Sequence, residues 1–379
     1  MPWALLAAGA LAMFAAASSG TTRAPFLLDM ARDLSTSLPL VANLVAATSI
    51  AWAITGMLAG AWSDRWGRRP FLILGPLALC GAMMGIATAP NFLLVALWSV
   101  VAGGCSGSFT GVIFAETSAR VADGQQGRAL GWVMSGQSLT LLVGVPLAAF
   151  VGAFIGWRGV SLCVGALAVC AALGMFVATR GAPSSRRAAG AKPPSMRAAL
   201  SWPVVRLLTM GVAERICYGM TVVYFATFLQ STYDVSLHAV ALPLAIFASG
   251  NILGTILGGQ LADRLHNRLL VFALAMLASG AAALALFGWR SSVTMSVALG
   301  FVYVFLNAIA RPALMAALGQ VPPQVRGTVM GWNVTASSLG WLGAASLGGW
   351  MLTAQGFGGF GPLTAGVAVL AAVLALVRR

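Results

Sequence analysis

The sequence predicts an all-α membrane protein of twelve transmembrane helices, arranged as two pseudo-repeated six-helix bundles. Three observations lead there. Hydrophobic residues make up 59% of the 379 positions and charged residues only 8%, where a soluble domain carries roughly 25% charged residues. The mean hydropathy is +0.91, and the apolar residues fall in runs of membrane-spanning length. Motifs of the first half also return near a constant offset in the second.

A hydrocarbon core of about 30 Å takes about 20 residues of helix. On that ruler the first six spans fall at 3–23, 38–62, 71–89, 92–117, 129–155 and 159–179. The first could pass for a secretory leader, because Ala15-Ala16-Ala17-Ser18-Ser19 looks cleavable. A leader begins with positive charge, however, and residues 1–11 hold none, so this run is expected to stay as a span. The second six fall at 204–230, 239–262, 269–289, 293–318, 327–353 and 361–377. Between the sets, residues 180–201 carry Arg180, Arg186, Arg187, Lys192 and Arg197, three prolines and no acid. That composition fits a disordered linker at the membrane surface. The expected division is 1–179, a basic linker 180–201, and 202–379.

The net charge is +14, and Lys192 is the one lysine. A basic balance can signal nucleic acid, but here the arginines stand between apolar runs, so topology accounts for them and no nucleic-acid partner is expected. Arginine marks the cytoplasmic side of a membrane protein. One side holds Arg65, Arg68, Arg69, Arg120, Arg128, the linker, Arg264, Arg268, Arg326, Arg378 and Arg379; the other holds Arg32, Arg158, Arg290 and Arg23. Both termini are therefore expected in the cytoplasm of a bacterial-type inner membrane. Five cysteines, all inside apolar runs with no C-x-x-C pair, read as small apolar fillers.

Between spans 2 and 3 stands Gly56-Met-Leu-Ala-Gly60-Ala-Trp-Ser-Asp64-Arg65-Trp-Gly67-Arg68-Arg69-Pro70, four charges in six residues. Gly56 and Gly60 have the spacing that lets membrane helices approach closely. Gly259-Gln-Leu-Ala-Asp263-Arg264-Leu-His266-Asn267-Arg268 echoes it 199 residues on, and Gly131-Trp132 returns as Gly331-Trp332 after 200. Small-residue ladders run along span 5 (Gly136, Thr140, Gly144, Ala148, Gly152), span 8 (Gly250, Gly254, Gly258) and span 11 (Ala336, Gly340, Ala344, Gly348).

The first loop resembles the signature between helices 2 and 3 of the major facilitator superfamily, G-x-x-x-G-x-x-x-D-R-x-G-R-R. The resemblance implies two repeated halves, a substrate site between them lined by spans 1, 4, 7 and 10, and ladder helices at the contact between halves. It also implies that Asp64, Arg65 and Arg69 join an ion-pair latch, with Glu116 at the end of span 4 as an added partner. Gly136…Gly144-Val-Pro146, followed by Gly156-Trp157-Arg158, looks most like exporters related to arabinose, nucleoside and chloramphenicol efflux. Two departures stand out. Drug exporters often carry an arginine in span 4 four residues before a glycine, where this chain has Ser99; and His266-Asn267 replaces Gly-Arg in the second loop.

An ionisable residue inside a membrane is costly and marks function by default. Glu214 and Arg215 lie about ten residues into span 7, about 15 Å deep at 1.5 Å per residue. Adjacent helical residues do not face one another, so the pair is expected to turn to other groups, with Arg311 and Arg23 the nearest candidates. Glu214 is then either a carboxylate that binds and releases a proton or half of a permanent pair. Arg311 reads alternatively as a gate residue. Tyr218, Asn307, Thr221, Tyr224 and Asn251 offer neutral hydrogen bonds.

No G-x-x-x-x-G-K-[ST] loop, metal cluster or nucleophile–base set appears, so no enzyme activity and no cofactor are expected. The expected function is proton-coupled export of a small organic molecule, energised by the proton gradient, by a monomer in the bilayer. Uptake or facilitated exchange of a metabolite is the alternative, and a non-transporting membrane sensor the second.

Overall fold

The structure, a computed structural model, describes residues 2–121, 125–180, 201–265, 267–320 and 323–377. The chain forms two compact units, Met1–Ala191 and Lys192–Arg379. The expected linker, from 181 to 200, lies outside the described residues, as do His266, Arg378, Arg379 and the side chains of Asp64 and Arg326.

The first unit contains α1 (Trp3–Thr21), a 3-10 turn (Ala24–Phe26), α2 (Leu27–Asp33), α3 (Leu38–Trp66), α4 (Arg68–Thr88), α5 (Phe92–Arg120), α6 (Gln126–Leu139) and α7 (Val145–Ala178). Only Gly67 separates α3 from α4, at φ 89°. That backbone region is open to glycine and strained for other residues, which is why the signature needs a glycine there. A π turn, Thr140–Gly144, joins α6 to α7. Pro146 explains it: proline has no N–H to give the preceding turn and its ring crowds the carbonyl four residues back. Within α7, Gly156 at φ 68° breaks the helix into two.

In this unit α3 packs on α5, α4 on α5 and α7, and α1 on α5, α6 and α7. The glycines that permit the α3–α5 approach sit on α5. A Cβ on Gly107 would strike the Trp52 carbonyl and Thr55, whereas Gly60 has nothing within 4 Å and Gly56 meets only the Gly107 carbonyl, at 3.7 Å. The close approach expected at Gly56 and Gly60 is therefore found at Gly56, whose backbone N lies 3.0 Å from where a Cβ of Gly107 would stand, and not at Gly60. Gly136 lies against the Ala10 carbonyl of α1, and the Thr140 hydroxyl beside it donates to the Phe14 carbonyl at 3.1 Å. Gly144 touches the Phe14 ring of the same helix.

The second unit contains α8 (Trp202–Tyr233), α9 (Ala241–Arg264), α10 (Arg268–Gly288), α11 (Val293–Leu318), α12 (Pro323–Gln355), a 3-10 turn (Gly356–Gly359) and α13 (Phe360–Leu376). Here α9 packs on α11, α10 on α11 and α13, and α8 on α11, α12 and α13. Met210, Phe272, Met276 and Leu314 fill the core between them. Gly254 meets the Phe305 carbonyl of α11, and Gly340 meets Arg215 of α8. The ladders expected at a contact between halves thus seat helices within their own unit.

Arginines close the carboxyl ends of many helices. Arg68 donates to the Ala115 carbonyl at 3.1 Å, Arg120 to Ala178 at 3.1 Å, Arg158 to Ala87 and Ala89 at 3.0 and 2.7 Å. Arg206 does so for Val377 at 2.7 Å, and Arg268 for Ala262 and Ala316, both at 3.1 Å. The last carbonyls of a helix lack intrahelical donors and carry partial negative charge, so a guanidinium serves both needs.

Ten helical stretches among the described residues are long and apolar enough to cross a membrane. Two of them, Arg128–Ala178 and Trp332–Leu376, run 51 and 45 residues.

Candidate functional site

The densest charge in the second unit centres on Glu214, which is 1% exposed midway along α8. Arg311 of α11 reaches it, its Nη1 donating to Oε2 at 3.0 Å, and its Nη2 donates to the Ser337 hydroxyl of α12 at 3.3 Å. Arg215 Nε lies 3.0 Å from the same Oε2. That distance makes an ion pair, but the N–H is not aimed to form a hydrogen bond. The expectation that adjacent residues of the helix cannot pair is therefore corrected. Both side chains are long enough to curl back to one point beside the axis, where Gly340 leaves room for the Arg215 stem.

Two guanidiniums converging on one carboxylate oxygen leave the three side chains with an excess of one positive charge. The Arg215 guanidinium also stands over the Tyr218 ring, 4.8 Å from its centroid, and Tyr218 meets Trp341 edge-on at 6.0 Å. Cation–ring contact of this kind adds about 0.5–2 kcal/mol and fixes the guanidinium plane. Arg311 belongs to this cluster through its bond to Glu214. Pro312 follows it directly and frees a carbonyl of α11.

Neutral groups surround the cluster. Tyr303 donates to the Cys217 carbonyl at 2.6 Å, and Tyr224 to Ala345 at 2.8 Å, so both hydroxyl protons are committed to the fold. Asn307 is fully buried, with Nδ2 3.9 Å from Met276 Sδ and Oδ1 without a partner among the described residues. Asn333, on α12, also has an unpartnered Oδ1. Ser337, Trp341 and Asn333 were missed by sequence reasoning. Span 11 was read there as a ladder of small residues, and a polar residue inside that ladder was the available signal.

In the first unit Arg23 is buried, 5% exposed, at the end of α1. Its Nη1 donates to the Ser99 hydroxyl of α5 at 2.9 Å. Ser99 Oγ in turn donates to the Val95 carbonyl at 2.6 Å. The position read as lacking an arginine therefore has a guanidinium beside it, supplied by another helix.

Glu116, buried near the end of α5, takes Arg68 Nη1 on Oε2 at 3.4 Å and Arg120 on Oε1, Nε at 2.7 Å. The expected latch partners Arg65 and Arg69 are not those that reach it. Arg65 is exposed, and Arg69 lies over the Phe176 ring at 5.5 Å. Arg68 opens α4. The Asp64 side chain is outside the described residues. In the second unit Arg268 takes the post of Arg68, but Ala316 stands where an acid would be, and Asp263 and Arg264 are exposed. The Gly156-Trp157-Arg158 motif is a brace: Trp157 Nε1 donates to Asp33 at 2.8 Å, and Arg158 lies over the Trp157 ring at 4.4 Å.

Two all-helical units, ten membrane-crossing stretches and buried charge clusters define a multi-pass membrane protein. The chain belongs to the Major Facilitator Superfamily, which it matches over residues 9–341 and again over 207–379. It is 26% identical over 283 residues to a chloramphenicol resistance protein of Streptomyces lividans, covering 74% of this chain and 72% of that one. A chloramphenicol efflux pump of Mycobacterium tuberculosis matches over a shorter stretch, 32% over 144 residues, 38% of this chain and 35% of the pump. Among solved structures, a bacterial homolog of the human lysosomal transporter Spinster, inward-facing and unoccupied, superposes with a TM-score of 0.79 at 17% identity. It covers 99% of this chain and 95% of that one. Family and fold point to a transporter rather than an enzyme.

Proposed function

We propose that this chain is a proton-coupled exporter of a small organic molecule, working by alternating access as a monomer in the inner membrane. The observation that carries the reading is the buried Glu214, whose one oxygen is shared by Arg215 and Arg311 on two different helices. A proton and a solute can compete there, since either could release a guanidinium from the carboxylate. The relatives named for chloramphenicol resistance and efflux support export, and the guanidinium of Arg23 beside Ser99 offsets the departure that favoured uptake.

Twelve crossings follow from the same reading. A 51-residue helix would be about 77 Å long at 1.5 Å per residue, more than twice a bilayer core, and Gly156 divides the one at Arg128–Ala178. The turn Gly356–Gly359 divides the other. Helix partnerships support a repeat: α3–α5 corresponds to α9–α11, α4–α7 to α10–α13, and α1–α6 to α8–α12. An even number of spans keeps both termini on the arginine-rich, cytoplasmic side. No cofactor is needed beyond the proton gradient.

The test is proton movement in everted membrane vesicles holding an imposed pH gradient, with drugs, sugars, nucleosides and amino acids added in turn. Collapse of the gradient by one compound, lost in Glu214→Gln, is the expected result. Collapse that survives the substitution would leave Glu214 a packing residue. Saturable solute flux in liposomes without proton movement would replace the proposal by facilitated exchange. Absence of any flux from folded protein would favour a sensor.

A further inference from the structure

Among the described residues, the partly buried guanidiniums pair with an acid or close a helix end, and Arg23 is the exception. Arg23 does neither. Of its donors, Nη1 is anchored on Ser99, while Nε and Nη2 are buried and have no partner among the described residues. The described acids of the same unit are engaged elsewhere. Glu116 holds Arg68 and Arg120, Asp33 accepts from Trp157, and Asp29 faces Arg32 and Asp33.

The two idle donors are not a random pair. Nε–H and one Nη2–H lie along one edge of the guanidinium, parallel and coplanar, the fork that matches a carboxylate or phosphate with two hydrogen bonds. Ser99 fixes the opposite side. The Ser99 proton is committed to the Val95 carbonyl, so its oxygen can only accept from Arg23, and the guanidinium is held with its unpaired edge set. Arginine stays charged under all physiological conditions, and a buried charge demands a partner. In the second unit, Glu214, Arg215 and Arg311 also carry one positive charge in excess.

We propose that Arg23 is an oxyanion-binding residue, its Nε–Nη2 edge taking the carboxylate of the transported molecule, so that the cargo is an organic anion. This rests on the transporter reading and narrows it to a class of substrate. Ser99 acts as a positioning residue through Arg23.

The experiment uses the full-length protein in lipid nanodiscs, with tryptophan fluorescence as readout; the chain has 12 tryptophans. Acetate, benzoate and citrate are titrated as sodium salts at constant pH and ionic strength, with benzamide as the neutral counterpart of benzoate. At least one carboxylate should bind saturably and benzamide should not. R23Q should weaken that binding at least tenfold, and R23K, which keeps the charge but loses the fork, should fall between. S99A should weaken it severalfold. Should R23Q fail to fold, R23K and S99A carry the test. Equal binding by R23K, S99A and wild type, or no carboxylate binding by folded wild type, would overturn the proposal. Saturable flux of a neutral solute, unaffected by R23Q, would end the anion site while leaving transport intact. Anion binding that depends on Arg23 without flux of any solute would do the reverse.

Discussion

Replacing Arg311 by Met and Glu214 by Gln, singly and together, measures how firmly α11 is tied to α8. The bond between them is 3.0 Å long, and unit charges at that distance attract by about 5.5 kcal/mol at an effective dielectric constant of about 20. Two features reduce the coupling. The Arg311 side chain is 28% exposed, and Arg215, on the same carboxylate oxygen, repels it. A coupling of about 2 kcal/mol remains, within the usual range for residues of one network. Either single variant leaves a buried charge short of its partner, while the double variant leaves Arg215 alone against the neutral Gln. The readout is thermal unfolding in detergent, followed by a thiol-reactive dye with Cys80, Cys105, Cys163 and Cys170 replaced by alanine, so that the fully buried Cys217, one turn from Glu214, reports opening of this region. For a unit of this size each kcal/mol shifts the midpoint by about 2–4 °C. The double variant should therefore melt about 4–8 °C above the sum of the single losses. Strict additivity, within about 0.5 kcal/mol, would refute the view that this bond ties the two helices.

Two further outcomes follow from the packing. Gly340→Ala puts a methyl into the Arg215 stem, and overpacking of this kind costs about 1–3 kcal/mol; size-exclusion recovery and melting should fall together, whereas Gly60→Ala, in open space, should leave both unchanged. Glu116→Gln removes the carboxylate that Arg68 and Arg120 share and should lower the melting midpoint with little dependence on salt, since screening acts weakly on buried pairs; a loss erased by about 0.5 M salt would mean the pairs are solvent-screened.

Much of the fold could be read directly. Span positions follow from length and apolarity, and Gly67 falls where α3 and α4 meet with no spare residue. Glu214 stood out because an acid in an apolar run is costly to bury and is seldom kept without a use. The partners were harder. Residues 214 and 311 lie 97 positions apart, and their meeting depends on the rotation of two helices that are apolar all round, which leaves no periodicity to read. The same limit hid Arg23 and Ser99, each noticed alone but not as neighbours. It also left open which arginine of the loop meets Glu116, which in the structure is Arg68. Pro146 was noted as a motif, yet its backbone effect, the π turn before it, needed the structure.

The arginines at helix ends have a consequence for how the chain is made. Loops are sorted across a membrane by their arginines before the helices have met. In the finished protein Arg68, Arg120, Arg206 and Arg268 hold the carbonyls at the ends of α5, α7, α13 and α9. A segment inserted upside down would carry its helix ends away from the guanidiniums that should close them, and could not pack. Topology and packing then check each other, a form of proofreading built into biogenesis. A lysine would satisfy the sorting step but offers one point charge in place of a planar fork, so at Arg68, Arg120, Arg206 and Arg268 the second task calls for arginine.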